Sequence, residues 1–137
     1  MKRVFIDTNI ILDVMAKREG YADSHAVLSL CYEGVMRGYI SQGSLYTLLY
    51  LLQAELGKTE ARLQVMGLLT FLRVASCSSA ESFRVLQANF PDNEDALQMQ
   101  TAIAAGAQAI ITRNHRHYKQ STVPVFSPEE FRKVLVT

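Results

Sequence analysis

Short apolar runs rich in β-branched residues alternate along this chain with longer stretches of helical spacing, and no other feature constrains the fold as much. The first run, Arg3-Val4-Phe5-Ile6, stops on an acid, which reads as a buried strand delivering Asp7 to its C-terminal edge. A helix is expected from Asn9 to Ala16. A second, capped by Asp23 or Ser24, carries Val27, Leu28, Leu30, Cys31, Val35 and Met36 and is expected to stop at Gly38. Tyr39-Ile40-Ser41 reads as a short strand. Ser44 to Leu56 is apolar nearly all round, as in a helix covered on most sides, with a second subunit as one candidate cover. Ala61, Val65, Leu68, Leu69 and Leu72 share one face of a further helix that Thr59 can cap.

Val74-Ala75 is a third candidate strand, and Ser79 a cap for a helix ending near Pro91. Asp92 opens the next helix, which runs to Gly106. Ala109-Ile110-Ile111-Thr112 reads as a buried strand and Val123-Pro124-Val125-Phe126 as the last one. Ser127-Pro128-Glu129-Glu130 is a helix start with proline at its first position. Strands alternating with helices give an α/β fold with a largely parallel sheet.

At 137 residues the chain has the size of one domain, and 49% hydrophobic residues suffice for its core. The net charge is +1, so a nucleic-acid site has to be a local patch rather than a global field. Cys31 and Cys77 lack metal-ligand spacing and form no disulfide framework, which fits a reducing, cytoplasmic setting. The apolar run before Asp7 is too short for a signal peptide, and no uncharged stretch is long and apolar enough to span a bilayer.

In an open parallel sheet ligands bind beyond the carboxyl ends of the strands. Asp7-Thr8-Asn9 and Thr112-Arg113-Asn114 stand there, and Asp92-Asn93-Glu94-Asp95 forms an acidic helix start. If they converge, Asp7, Asp92 and Asp95 make an acidic pocket. Carboxylates gathered so closely ionise together only around a cation, and oxygen donors suit Mg²⁺ or Mn²⁺. Phosphodiester hydrolysis is a natural use of such a site. The same residues also have plain structural readings: Asp92 as N-cap with Asp95 as a charge on the helix dipole, Asp13 on a solvated face or at the site edge, and Asn9, Thr112 and Asn114 as turn partners. Arg113, His115, Arg116, His117 and Lys119 form a basic loop that can meet phosphates or simply face water. No Gly-rich dinucleotide fingerprint, P-loop or nucleophile elbow is present.

The chain resembles the PIN domain, a metal-dependent ribonuclease fold that includes VapC-type toxins. The likeness rests on VFIDTNIILDV at residues 4–14, DNEDALQ at 92–98 with the Ala-rich helix after it, and IITRN at 110–114. It implies a three-layer sandwich with a central, mostly parallel sheet over residues 1–137. It further implies a ribonuclease using Mg²⁺ or Mn²⁺, with Asp7 and Asp95 as metal-binding acids, Asp92 assisting, and Asn9, Thr112, Arg113, Asn114 and His117 supporting the site or substrate. RNA, an antitoxin protein and a second copy of the chain are the implied partners. Two positions depart from the family: Thr47 stands near the place of an acid or Asn, and His117 where an acid often follows the TRN. A binding-only PIN-like domain for RNA or protein is the alternative. A haloacid-dehalogenase-like phosphatase is disfavoured because Asn9 stands where that family has its second acid.

Overall fold

A computed structural model describes residues 2–136, the side chain of Val136 excepted, so the expected limits at residues 1 and 137 lie outside the described residues. The elements run β1 (Lys2–Ile6), α1 (Thr8–Met15), α2 (Tyr21–Tyr32), β2 (Met36–Ser41), α3 (Gln42–Leu56), α4 (Lys58–Leu69), β3 (Leu72–Ala75), α5 (Ser79–Gln87), α6 (Asn93–Ala104), β4 (Ala109–Ile111), a 3₁₀ turn (His115–Tyr118), β5 (Val125–Phe126) and α7 (Pro128–Val136). The five strands pair in the order β3-β2-β1-β4-β5, all parallel.

Period-2 alternation along the central strands splits the core in two. Val4, Ile6, Ile40, Ala109 and Ile111 face one side with side chains of α1 to α4 and Phe131 of α7. Phe5, Tyr39 and Ile110 face the other, against Met99 and Ala102 of α6 and Tyr118. That is why these strands read as continuous apolar runs: each has a hydrophobic layer on both faces. The sheet with its two flanking layers is the expected three-layer α/β sandwich.

Several boundaries differ from the sequence reading for definable reasons. Helix α2 starts at Tyr21 and ends at Tyr32; the break comes at Gly34, with φ +79°, rather than at Gly38. Val35 therefore lies in the connection, and Met36 begins β2. Gly38 lies inside β2, where a Cβ would come within 2.7 Å of Leu72 Cδ2 and 2.8 Å of Cys31 Sγ. Its role is close approach between sheet and helix.

The caps also shift. Ser78, not Ser79, caps α5 in a reciprocal capping box with Glu81. The N-cap of α4 is Gly57, with no side-chain cap bond, so Thr59 lies within the first turn. Ser41 caps α3, three residues before the expected start, by accepting from Ser44 N at 2.9 Å. Ser127 and Glu130 form a second reciprocal box at the start of α7. No described helix is long and apolar enough to cross a membrane.

Candidate functional site

From β1 the chain proceeds outward on one side of the sheet to β2 and β3, and β4 and β5 then add on the other side of β1. The reversal puts a topological switch point between β1 and β4, where an open α/β sheet leaves a crevice at its carboxyl edge. Asp7 follows β1 there and Thr112 follows β4. The Asp7 backbone N–H extends the ladder by donating to the Ile111 carbonyl at 3.0 Å.

The Asp7 carboxylate is fixed from two directions. Thr8 N–H donates to Oδ1 at 2.9 Å, making Asp7 the N-cap of α1, and Thr112 Oγ1 donates to Oδ2 at 2.7 Å. Thr112 is fully buried and in turn accepts from Asn114 N–H at 3.0 Å. The first strand, the first helix and the loop after β4 thus converge on one carboxylate.

Asp95 comes to the same place from the first turn of α6. Asp92 accepts from the Asp95 N–H at 2.8 Å as N-cap, which starts the helix and aims its positive end at the crevice. Asp7, Glu94 and Asp95 line one cleft of about 560 Å³ together with Asn9, Thr47 and His117. Partial burial, followed by the repulsion of Asp92, Asp7 and Glu94, holds the Asp95 carboxyl above its ordinary value, while His117 pulls the other way. His117 Nδ1 stands 3.8 Å from Asp95 Oδ1. Tyr118 closes the floor, its phenol pushed well above the usual value by burial and then by Asp7. Among the described residues no three His, Cys, Asp or Glu side chains are grouped closely enough to hold a metal ion by themselves.

Not every expected site residue reaches this cleft. Asp92 lines a neighbouring pocket instead, with one oxygen committed to capping α6. Arg113 turns away to Asp13, which is completely buried: Nε is 2.7 Å from Oδ2 and Nη2 donates to Oδ1 at 2.8 Å. Asp13 also accepts from Ser24 Oγ at 3.2 Å, so neither the solvated-face nor the site-edge reading of it holds. Asn114 contributes through its backbone, donating to Thr112 and accepting from His117 N–H at 3.0 Å. Thr47 does line the cleft, but its hydroxyl donates to the Gly43 carbonyl of its own helix at 3.1 Å.

A hydroxyl cluster is the addition that residue patterns did not single out, while Glu94 of the acidic helix start does reach the cleft. Ser41 Oγ donates to Ser44 Oγ at 3.0 Å, and Ser44 is in hydrogen-bond contact with Thr8 Oγ1 across α1 and α3. These neutral groups border the side of the cleft near Thr47, where the family pattern places an acid or Asn. The DNED run gave the signal for Glu94; nothing in the sequence signals the Thr8–Ser44 contact.

The sequence profile of the PIN domain matches residues 3–116. Solved structures share the fold at low identity. VapBC2 from Rickettsia felis, bound to a DNA fragment from its promoter, superposes with a TM-score of 0.68 at 18% identity, covering 91% of this chain and 98% of that one. DNA-bound VapBC from Salmonella typhimurium gives 0.68 at 18% identity, covering 93% and 99%. PAE2754 from Pyrobaculum aerophilum gives 0.64 at 13% identity, covering 99% and 91%. No curated protein sequence is significantly similar to the chain. The match over residues 3–116 shows that the chain belongs to the PIN domain family.

Proposed function

We propose that this protein is a metal-dependent endoribonuclease acting as the toxin of a toxin-antitoxin pair. The observation that carries the reading is the convergence of Asp7 and Asp95 in one cleft at the switch point of the sheet. Their donor set fits Mg²⁺ or Mn²⁺: oxygen atoms only, and a pair of carboxylates of the kind such ions accept while keeping water and substrate phosphate as further ligands. Burial is the first cause of the raised Asp95 carboxyl, and the smaller repulsion it receives from Asp92, Asp7 and Glu94 is what a cation would relieve. Glu94 is a further acid lining the cleft, and His117 offers a nitrogen donor in place of the family's further carboxylate. When bound, the cation supplies Lewis-acid stabilisation of charge on the phosphodiester as water adds to phosphorus and the P–O bond breaks.

The chain's own residues set the frame for that reaction. Thr112 and the Thr8 N–H hold the Asp7 carboxylate in one orientation, and Asp92 fixes the turn that presents Asp95. The N-termini of α1 and α6 both open on the cleft, which favours the anionic substrate. The substrate we assign is RNA, and the setting the cytoplasm. A VapB-like antitoxin as partner is supported by the VapBC structures that share this fold. Self-association into a homodimer is supported by the exposed apolar side chains of Tyr46 and Tyr50 on α3 and of Leu63 and Met66 on α4, two helices that pack together.

A second reading, a PIN domain that binds without cutting, is favoured by one observation: the cleft has Thr47 in place of the family's acid or Asn, and the Thr47 hydroxyl is already used by its own helix. Cleavage of labelled single-stranded RNA by the purified protein, with Mn²⁺ or Mg²⁺ and with EDTA, decides between them. Metal-dependent cleavage abolished in a folded Asp7→Asn variant is expected. Equal cleavage by that variant refutes the assignment of Asp7, and no cleavage by folded wild type across varied RNAs favours the binding-only domain.

A further inference from the structure

A second pocket of about 220 Å³ adjoins the cleft and shares Asp95 and His117 with it. Its walls differ in character. Half-buried Phe90 and buried Met99 belong to the hydrophobic layer between the sheet and α6 and present an apolar surface to the pocket. Arg116 and Lys119, from the 3₁₀ turn and the residue after it, stand on one wall. Asp92 and Asp95 stand on the α6 wall.

The two cations are distinctive among the charges of this region. Arg113 is committed to Asp13 and His115 to Glu130 at 2.9 Å, whereas Arg116 and Lys119 make no ion pair among the described residues. They are exposed and separated by one 3₁₀ turn, so both can meet phosphates of one strand. Beside them, a neutral base has the aromatic ring of Phe90 to stack on.

We propose that this pocket is a nucleotide subsite: one base of single-stranded RNA stacks on Phe90 and its phosphates meet Arg116 and Lys119, placing the adjoining phosphodiester at Asp7 and Asp95. The subsite rests on the reading of the cleft as a ribonuclease site. It makes the pocket the part of the surface that holds the strand, and the acidic cleft the part that acts on it.

The test is fluorescence anisotropy of a labelled single-stranded RNA octamer in EDTA, where binding is read without turnover, with cleavage in Mn²⁺ measured in parallel. Phe90→Leu, which keeps apolar packing but loses the ring, is expected to weaken binding about tenfold, and Phe90→Tyr to retain it. Arg116→Gln with Lys119→Gln is expected to lower the slope of log affinity against log salt by about 1.4, from about 0.7 per phosphate contact on a single strand. Failure of the wild type to bind the octamer overturns the subsite. So does binding by Phe90→Leu within twofold of wild type, or an unchanged salt slope in the double variant. Phe90-dependent binding without cleavage overturns the catalytic reading alone; cleavage with binding indifferent to Phe90 overturns the subsite alone.

Discussion

Removing the Arg113 guanidinium should destabilise the protein far more than the loss of a surface charge would. Asp13 is completely buried and takes one hydrogen bond and one close ion-pair contact from Arg113, whose side chain is 41% exposed. Breaking a fully buried pair costs about 3–5 kcal/mol because a charge is left without a partner, and an exposed pair about 0–1 kcal/mol. With one partner buried and the other reachable by water, Arg113→Ala is expected to cost about 2–3 kcal/mol. Unfolding entropy near 2.1 cal/mol/K per residue makes each kcal/mol worth about 3.5 °C for a chain of this length, so Tm should fall by about 7–10 °C. Asp13→Asn in the Arg113→Ala background removes the stranded charge and is expected to recover about 1 kcal/mol. The assay is urea unfolding of the four proteins of the cycle, read as shifts in midpoint at constant slope. A loss below 0.5 kcal/mol for Arg113→Ala, or no recovery in the double variant, would refute the clamp. Arg113 lies between Thr112, which holds Asp7, and Asn114, so the same variant tests how firmly the site is anchored.

Two further outcomes follow from the packing and the site. Gly38→Ala forces a methyl against Leu72 and Cys31 and is expected to cost about 1–3 kcal/mol in urea unfolding; wild-type stability would show that the contact relaxes freely. Mn²⁺ at a hundred times its dissociation constant is expected to raise the Tm of the wild type by about 9 °C, from about 2.7 kcal/mol of linkage, and to leave Asp7→Asn nearly unchanged; equal shifts in both proteins would place the cation elsewhere.

Strand β1 and its acid were legible in the sequence because both faces of the strand are buried, so its apolar run is uninterrupted and its end abrupt. The same holds for Ala109 to Ile111. Helix α2 and strand β2 were harder: Gly34 and Gly38 both look like helix stops, and only the approach of Leu72 and Cys31 tells which one stops the helix. Within the site, Asp7 and Asp95 carry local signals, one at a strand end and one in a helix first turn. Asp13 and Arg113 have none, since a buried carboxylate within the first helix looks identical in sequence to a solvated one. Their pairing spans a hundred positions and exists only once the sheet has formed.

The hydrogen bond from Thr112 to Asp7 joins residues 105 positions apart, and Asp95 and Tyr118 also come to the cleft from late in the sequence. Its consequence is one of timing. A nascent chain presents Asp7 early, yet the crevice has no second wall until β4 and the 3₁₀ turn have emerged and added to the free side of β1. A growing polypeptide therefore cannot complete this cleft until β4 and the 3₁₀ turn have been synthesised, and any truncation before Thr112 leaves the Asp7 carboxylate without the hydroxyl that fixes it.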